Sequence, residues 1–287
     1  MGYPIPQHAV SEAFLSACHS ELNALKPGNV HKYAGGHGME VAHFERAAEA
    51  AAPHLALRGP RVGYRIRGAV EASFAATGCN TNLGIILLCA PLAFAAGEVV
   101  SGIPLSARVA KVLAGLDLAD GSETFKAIQL ASPAGLGHSA EGDVYGNAPV
   151  TLREAMAIAA PRDRIALAYV TGMADIFELT LPLIRKARTL AATPELAVTT
   201  LHMKLLATFP DTHLARKFGP AVATNVRDIA QRMLPMIDPV VRPEAIEDLL
   251  RLDLTLKEKG LNPGTTADFV VATLFAEGLE NAAAKTQ

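Results

Sequence analysis

The chain has 287 residues, half of them hydrophobic, so it can bury a sizeable core. Its 26 basic and 28 acidic side chains nearly cancel, which excludes nucleic acid as the main partner, since phosphate-backbone binding needs a basic excess. Aromatic residues make up 5% of the chain and tryptophan is absent, so platforms for stacking single-stranded bases are not expected either. No apolar run reaches the ~20 residues of a membrane span. The opening MGYPIPQHAV lacks the basic region and apolar stretch of a signal peptide. A cytoplasmic protein without membrane contact is expected, with a homo-oligomer left open. Cys18, Cys79 and Cys89 fit neither a CxxC metal pattern nor a disulfide framework. They read as small hydrophobes in a reduced compartment.

Alanine and leucine dominate and β-branched runs are few, which favours helix. In chain order, Glu45–Ala52 reads as a short helix stopped by Pro53, and Arg65–Ala76 as another ending near Thr77-Gly78. Leu83–Ala96 is apolar all round and should be a central buried helix, kinked or broken at Pro91. Thr151 and Glu154 form a capping box, followed by Leu152, Ala155, Met156 and Ala159 at helical spacing. Pro161 stops that helix and Arg164–Glu178 forms the next. Ile165–Val170 could pass as a strand, but its flanks and length favour helix. Further helices are predicted at Thr180–Ala191, Pro194–Thr208, Pro220–Met236, Pro243–Lys257 and Thr266–Ala284.

Gly/Pro-rich loops at 26–38, 77–80, 131–149, 209–213 and 260–266 interrupt these helices. No low-complexity linker and no solenoid repeat divides the chain. The expectation is one all-α domain over residues 1–287, a compact multi-helix fold with active-site loops between helices.

The polar residues sit in those loops. In Lys26-Pro27-Gly28-Asn29, the proline biases Lys26 out of helix and Gly28 permits a tight turn. An ammonium beside forward-facing amides suits a phosphate oxygen, although turn chemistry alone explains Pro-Gly-Asn. Asn80-Thr81-Asn82 opens the most apolar helix, where capping needs one such residue and three are present. Pro210-Asp211-Thr212-His213 makes Asp211 either an N-cap or a ligand for Mg²⁺, with Arg216 and Lys217 about one turn on. In Asn262-Pro263-Gly264-Thr265-Thr266-Ala267-Asp268, the aspartate either complements a helix dipole or faces a site. The histidines carry no metal pattern: His31, His37 and His43 fall six apart, and His138, His202 and His213 stand alone. Gly135-Leu136-Gly137 lacks the strand and helix of a dinucleotide fold.

Taken in order, these motifs resemble one family, the triphosphoribosyl-dephospho-CoA synthases of citrate lyase and malonate decarboxylase systems. Members of that family carry E-x-x-x-P-K-P-G-x-V near the start, then N-T-x-x-G at an apolar helix, D-T-N/x-x-x-R, and a closing S/N-P-G-x-x-A-D. Here the matching residues are Glu21 with Lys26-Pro27-Gly28-Asn29-Val30, then Asn80-Thr81-Asn82-Leu83-Gly84. Asp211-Thr212 with Arg216 follows, and Asn262-Pro263-Gly264 with Ala267-Asp268 closes the series.

The resemblance implies an all-helical enzyme that moves the ribose triphosphate of ATP onto the ribose 2′-hydroxyl of dephospho-CoA. Adenine leaves and an α-glycosidic bond forms. Such a substitution passes through an oxocarbenium-like state that needs carboxylates, for which Glu21, Asp211 and Asp268 are the implied residues. Glu71 is a further carboxylate near the position of a family glutamate. The implied binding residues are Lys26, Gly28, Asn29, His31, Asn80, Thr81, Asn82, Thr212, Arg216, Lys217, Asn262, Gly264 and Thr265, with Mg²⁺ on Asp211.

The chain also departs from the pattern. The family's N-T-H-K-G loses its basic pair, and Gly36-His37-Gly38-Met39 lacks the aspartate of the family stretch. Ser132 to Gly137 replaces a G-A-R-G-E-type segment. Fewer phosphate contacts imply a second reading, in which phosphoribosyl pyrophosphate is the donor and a ribitol-bearing pterin precursor the acceptor, in tetrahydromethanopterin assembly. The rival at class level is a non-catalytic nucleotide-binding helical protein, whose motifs would scatter over the surface.

Overall fold

Residues 4–98, 102–132 and 150–285 are described by the computed structural model. The segment 133–149, with Gly135-Leu136-Gly137, His138 and most of the predicted 131–149 loop, lies outside them. Among the described residues there are fourteen α-helices and no strand, only the isolated bridges His31–Ala34 and Gly36–Met39.

The first group is α1 (Gln7–Asn23), α2 (Val41–Ala56), α3 (Val62–Thr77), α4 (Leu83–Gly97), α5 (Leu105–Ala114), α6 (Leu118–Ala131), α7 (Leu152–Ala159) and α8 (Arg164–Val170). A π-helical segment, Asp175–Thr180, leads into α9 (Leu181–Leu190) and α10 (Pro194–Thr208). The rest is α11 (Thr212–Phe218), α12 (Pro220–Ile237), α13 (Ile246–Glu258) and α14 (Gly264–Lys285).

Several boundaries follow local chemistry. Gly78 takes the left-handed conformation and its N–H returns to Phe74 O, ending α3. Thr151 and Glu154 form the expected capping box at α7, with Thr151 Oγ1 accepting from Glu154 N. Ile165–Val170 is helical, as expected.

Three expectations are corrected. Pro53 does not stop α2, which runs one turn further. Its ring fixes a helical φ, Leu55 and Ala56 are buried, and Arg65 Nη1 donates to Leu55 O at 2.6 Å, satisfying an end carbonyl. Pro91 likewise does not break α4, which runs through it as one helix buried on nearly every side. The predicted Arg164–Glu178 helix is instead α8, a turn through Gly172 and Met173 at positive φ, and the π-helical segment.

Apolar side chains form two clusters within a single compact helical domain. The larger gathers α1–α9 and α14 around the wholly buried middle of α4, while the smaller joins α10–α13 and Leu25. Helix α10 serves both: Val198, Leu201 and Leu205 face the larger cluster, Met203 and Leu206 the smaller. It is therefore buried around its circumference, and lacks a polar stripe. The chain crosses from one cluster to the other between Ala24 and Leu25, at the start of the first motif. Among the described residues no single helix is long and apolar enough to cross a membrane.

Candidate active site

Glu21 lies on the last turn of α1, where the chain leaves the larger cluster. Lys26 is fully buried and donates to Glu21 Oε1 and, at 2.7 Å, to Val30 O. Burial lowers the Lys26 ammonium pKa and raises that of the Glu21 carboxyl, and their pairing opposes both shifts. Gly28 has φ +84°, and a Cβ there would meet Leu261 O and Pro263 Cδ at 2.8 Å. Only glycine lets the first motif press so closely on the fourth. Asn29 Nδ2 then donates to Asn262 Oδ1 at 2.9 Å, joining the two loops by side chains as well.

The second motif meets the fourth at Gly84. A Cβ on Gly84 would collide with the Asp268 carboxylate, so the missing side chain makes room for it against the first turn of α4. The Asp268 carboxyl makes no hydrogen bond among the described residues. Burial raises its pKa well above the usual carboxylate range, and the charges of Asp211 and Glu21 push it the same way against Arg216. Asn80 Oδ1 accepts from Leu83 N at 3.3 Å and is the working cap of α4. The Thr81 hydroxyl is buried without a partner, an unmet polar group beside the pocket.

In the third motif, Asp211 Oδ1 accepts from Leu214 N at 3.0 Å and caps α11. Its Oδ2 accepts from Thr266 N and Oγ1 at 2.7 and 2.8 Å, clasping the first turn of α14. Arg216 Nη1 donates to Asp163 Oδ2 at 3.0 Å, while Asp163 Oδ1 caps α8. Burial, then the charges of Arg216, Lys217 and His37, push His213 down to about 4, so its imidazole is neutral at pH 7.

These loops surround one pocket. Of the residues named from sequence, Glu21, Asn29, Asn80, Thr81, Arg216, Asn262, Gly264, Thr265 and Asp268 line it. The others do not. Lys26 is sealed behind Glu21, and the Gly28 N–H is taken by Asp253 Oδ1 at 2.8 Å, so neither is presented to a phosphate. His31 is buried against Asp253, and Asn82 is buried against Ser73. Thr212 is bonded to Thr265 and to Arg164 N. Lys217 is exposed on the outer side of α11, and Glu71 is exposed in a pair with Arg67.

Residues that sequence reasoning passed over also line the pocket. Arg162 and Asp163 come from the short α7–α8 turn, which was read only as a helix stop. The cluster Pro161-Arg-Asp-Arg164 was the available signal, three charges in a turn between apolar helices. His213 and Gly84, which lie in the sequence motifs without an assigned role, line it too. The opposite wall is apolar, with Phe44, Phe125, Ile128, Leu152 and Met156.

Magnesium on Asp211 does not fit this geometry, because both carboxylate oxygens already accept helix-end or hydroxyl donors and Asp211 does not line the pocket. Among the described residues no three His, Cys, Asp or Glu side chains are grouped to hold a metal.

Comparison with known proteins agrees with the converging motifs. No curated protein matches the chain. Among solved structures, a provisionally named triphosphoribosyl-dephospho-CoA synthase from Archaeoglobus fulgidus is similar, with a TM-score of 0.62 and 22% identity. The match covers 80% of this chain and 95% of that one, and shows a shared fold. The family model described as ATP:dephospho-CoA triphosphoribosyl transferase matches residues 7–287. These findings do not favour the pterin-directed transferase, and motifs that converge on one pocket oppose the non-catalytic reading. The chain belongs to the ATP:dephospho-CoA triphosphoribosyl transferase family.

Proposed function

We propose that the pocket transfers the triphosphoribosyl group of ATP to a hydroxyl of dephospho-CoA, with Asp268 and Glu21 as its acid and base. The observation that carries this is two differently placed carboxyl groups on one pocket, an unbonded Asp268 with a raised pKa and a Glu21 paired with Lys26. ATP holds adenine in the β configuration, so an α-linked product requires inversion. A single displacement with inversion uses one carboxylic acid and one carboxylate. Asp268, protonated, gives its proton to the departing adenine ring. Glu21 takes the proton of the attacking hydroxyl as the new C–O bond forms and the C–N bond breaks.

The apolar wall supports a donor that carries a base over a bare sugar phosphate. Arg162 and Arg216 supply cations for the phosphate chain in place of the basic pair missing from the second motif, where Leu83 now faces the pocket. The Thr81 hydroxyl and the Asn80 and Asn262 carboxamides orient ribose hydroxyls without adding charge. Magnesium belongs to this reading as the counter-ion that ATP brings, not as a resident metal. Nucleotide substrates and reduced cysteines suit a cytoplasmic enzyme.

Incubating the protein with Mg-ATP and dephospho-CoA should release adenine. Arg162→Ala should raise KM for ATP roughly tenfold, the worth of a charge-assisted hydrogen bond, with little change for dephospho-CoA. Adenine release that needs no acceptor, or pyrophosphate release from phosphoribosyl pyrophosphate instead, would sink the assignment.

A further inference from the structure

Beneath the first motif lies a second set of buried charges that the proposed chemistry does not use. Asp253, on α13, is 4% exposed and has three donors. Its Oδ1 accepts from Gly28 N at 2.8 Å. Its Oδ2 accepts from Lys257 Nζ at 2.9 Å and from His31 Nε2 at 3.2 Å. Tyr33 N donates to His31 Nδ1, which leaves the proton on Nε2 facing Asp253. Burial works against the Asp253 carboxylate, yet these donors hold its pKa below the usual range.

Lys257 reaches further. Its ammonium also donates to Ala34 O at 3.1 Å, and its stem runs under Gly36, where a Cβ would lie 3.2 Å from Lys257 Cε. Ala34 and Gly36 belong to the 31–40 loop, which is pinned to itself by the His31–Ala34 and Gly36–Met39 bridges. His37 Nε2 donates to Gly28 O at 2.9 Å, and Met39 lines the substrate pocket. One aspartate therefore holds the loop where it leaves the first motif, and through Lys257 holds its middle. A surface helix that contributes no pocket residue fixes a segment that does.

We propose that Asp253 and Lys257 are positioning residues, a clamp by which α13 sets the 31–40 loop over the pocket and so sets substrate affinity. The affinity part rests on the function proposed above, while the clamp itself does not. Lys257→Met keeps the aliphatic stem under Gly36 and removes the ammonium's bonds to Asp253 and Ala34 O, together with its 3.3 Å contact with His31 Nε2. Amide hydrogen exchange of residues 31–40 in this variant should speed up roughly tenfold, as expected for losing bonds of this kind, with helices α3, α4 and α14 unchanged.

With ATP and dephospho-CoA, KM should rise several-fold while kcat stays within about twofold, the pattern of lost binding without lost chemistry. Lys257→Arg, which retains donors at similar reach, should restore both readouts. Unchanged exchange in the loop, or exchange that rises equally throughout the chain, overturns the clamp. Faster loop exchange with an unchanged KM overturns its link to substrate. A parent protein inactive on these substrates would instead overturn the proposed reaction, and the exchange measurement would still decide the clamp.

Discussion

At the scale of single residues, the decisive contact is between Gly84 and Asp268. The fold keeps a carboxyl in a place that favours its neutral form, through burial first and then through Asp211 and Glu21. A carboxyl whose folded pKa exceeds its unfolded value of ~3.9 stabilises the fold fully below that value, and the contribution is lost as pH rises through the raised one. Asp268→Asn removes the titration. Its melting temperature near pH 8 should equal or exceed the parent's, while turnover falls by about 10²-fold or more. A variant that is less stable than the parent near pH 8 would show that the ionised form is the one the fold holds. Gly84→Ala tests the same contact from the other side. The added methyl meets the carboxylate, so about 1–3 kcal/mol of stability should be lost in urea denaturation. Most of that loss should be recovered in an Asp268→Ala background, the remainder coming from Ile165 Cδ1, which the methyl would also meet at 2.9 Å.

At the scale of elements, the same aspartate can be a cap and sit next to a site. Asp211 was readable from sequence either way, and its hydrogen bonds decide for the α11 cap and the α14 clasp. Asp211→Ala should therefore cost about 2–3 kcal/mol, from one lost cap and one freed pair of buried donors. A melting temperature unchanged by this substitution, with turnover abolished, would return Asp211 to the catalytic group.

Helices whose ends carry chemistry in the side chains were legible: Thr151 with Glu154, and Thr193 ahead of Pro194 at α10. Those held by packing alone were not. Helices α1 and α5 begin after Pro6 and Pro104 with no side-chain cap, and their boundaries are set by what they bury. Helix α6 did carry a signal, since Asp117 accepts from Ala119 N and Asp120 N while Asp120 answers to Asp117 N, a capping pair written with two aspartates. Pro53 and Pro91 misled for the opposite reason. A proline ends a helix only if the lost bond is not outweighed by burial, and burial is not local information.

For the whole molecule, the order of four weak motifs foretold the site better than any one of them. Residues that touch the pocket and residues that hold those residues look alike in sequence. Lys26, Gly28 and Asn82 sit in the same loops as Asn29, Asn80 and Thr81, yet only the latter face the pocket. What separates them is which side of a turn points to solvent, a property of the packed molecule. The two apolar clusters meet along α10 and at the first motif, so the charged pair Glu21–Lys26 and the clamp Asp253–Lys257 lie close to their seam. Among the described residues most acidic side chains are solvent-exposed or held in ion pairs, where the anion is favoured. A diazo reagent esterifies the protonated carboxylic acid and ignores the anion. Asp268, whose burial favours the neutral form, carries no hydrogen bond on its carboxyl and faces a pocket of small-molecule size, so such a reagent should mark it covalently, and bound nucleotide should prevent the mark.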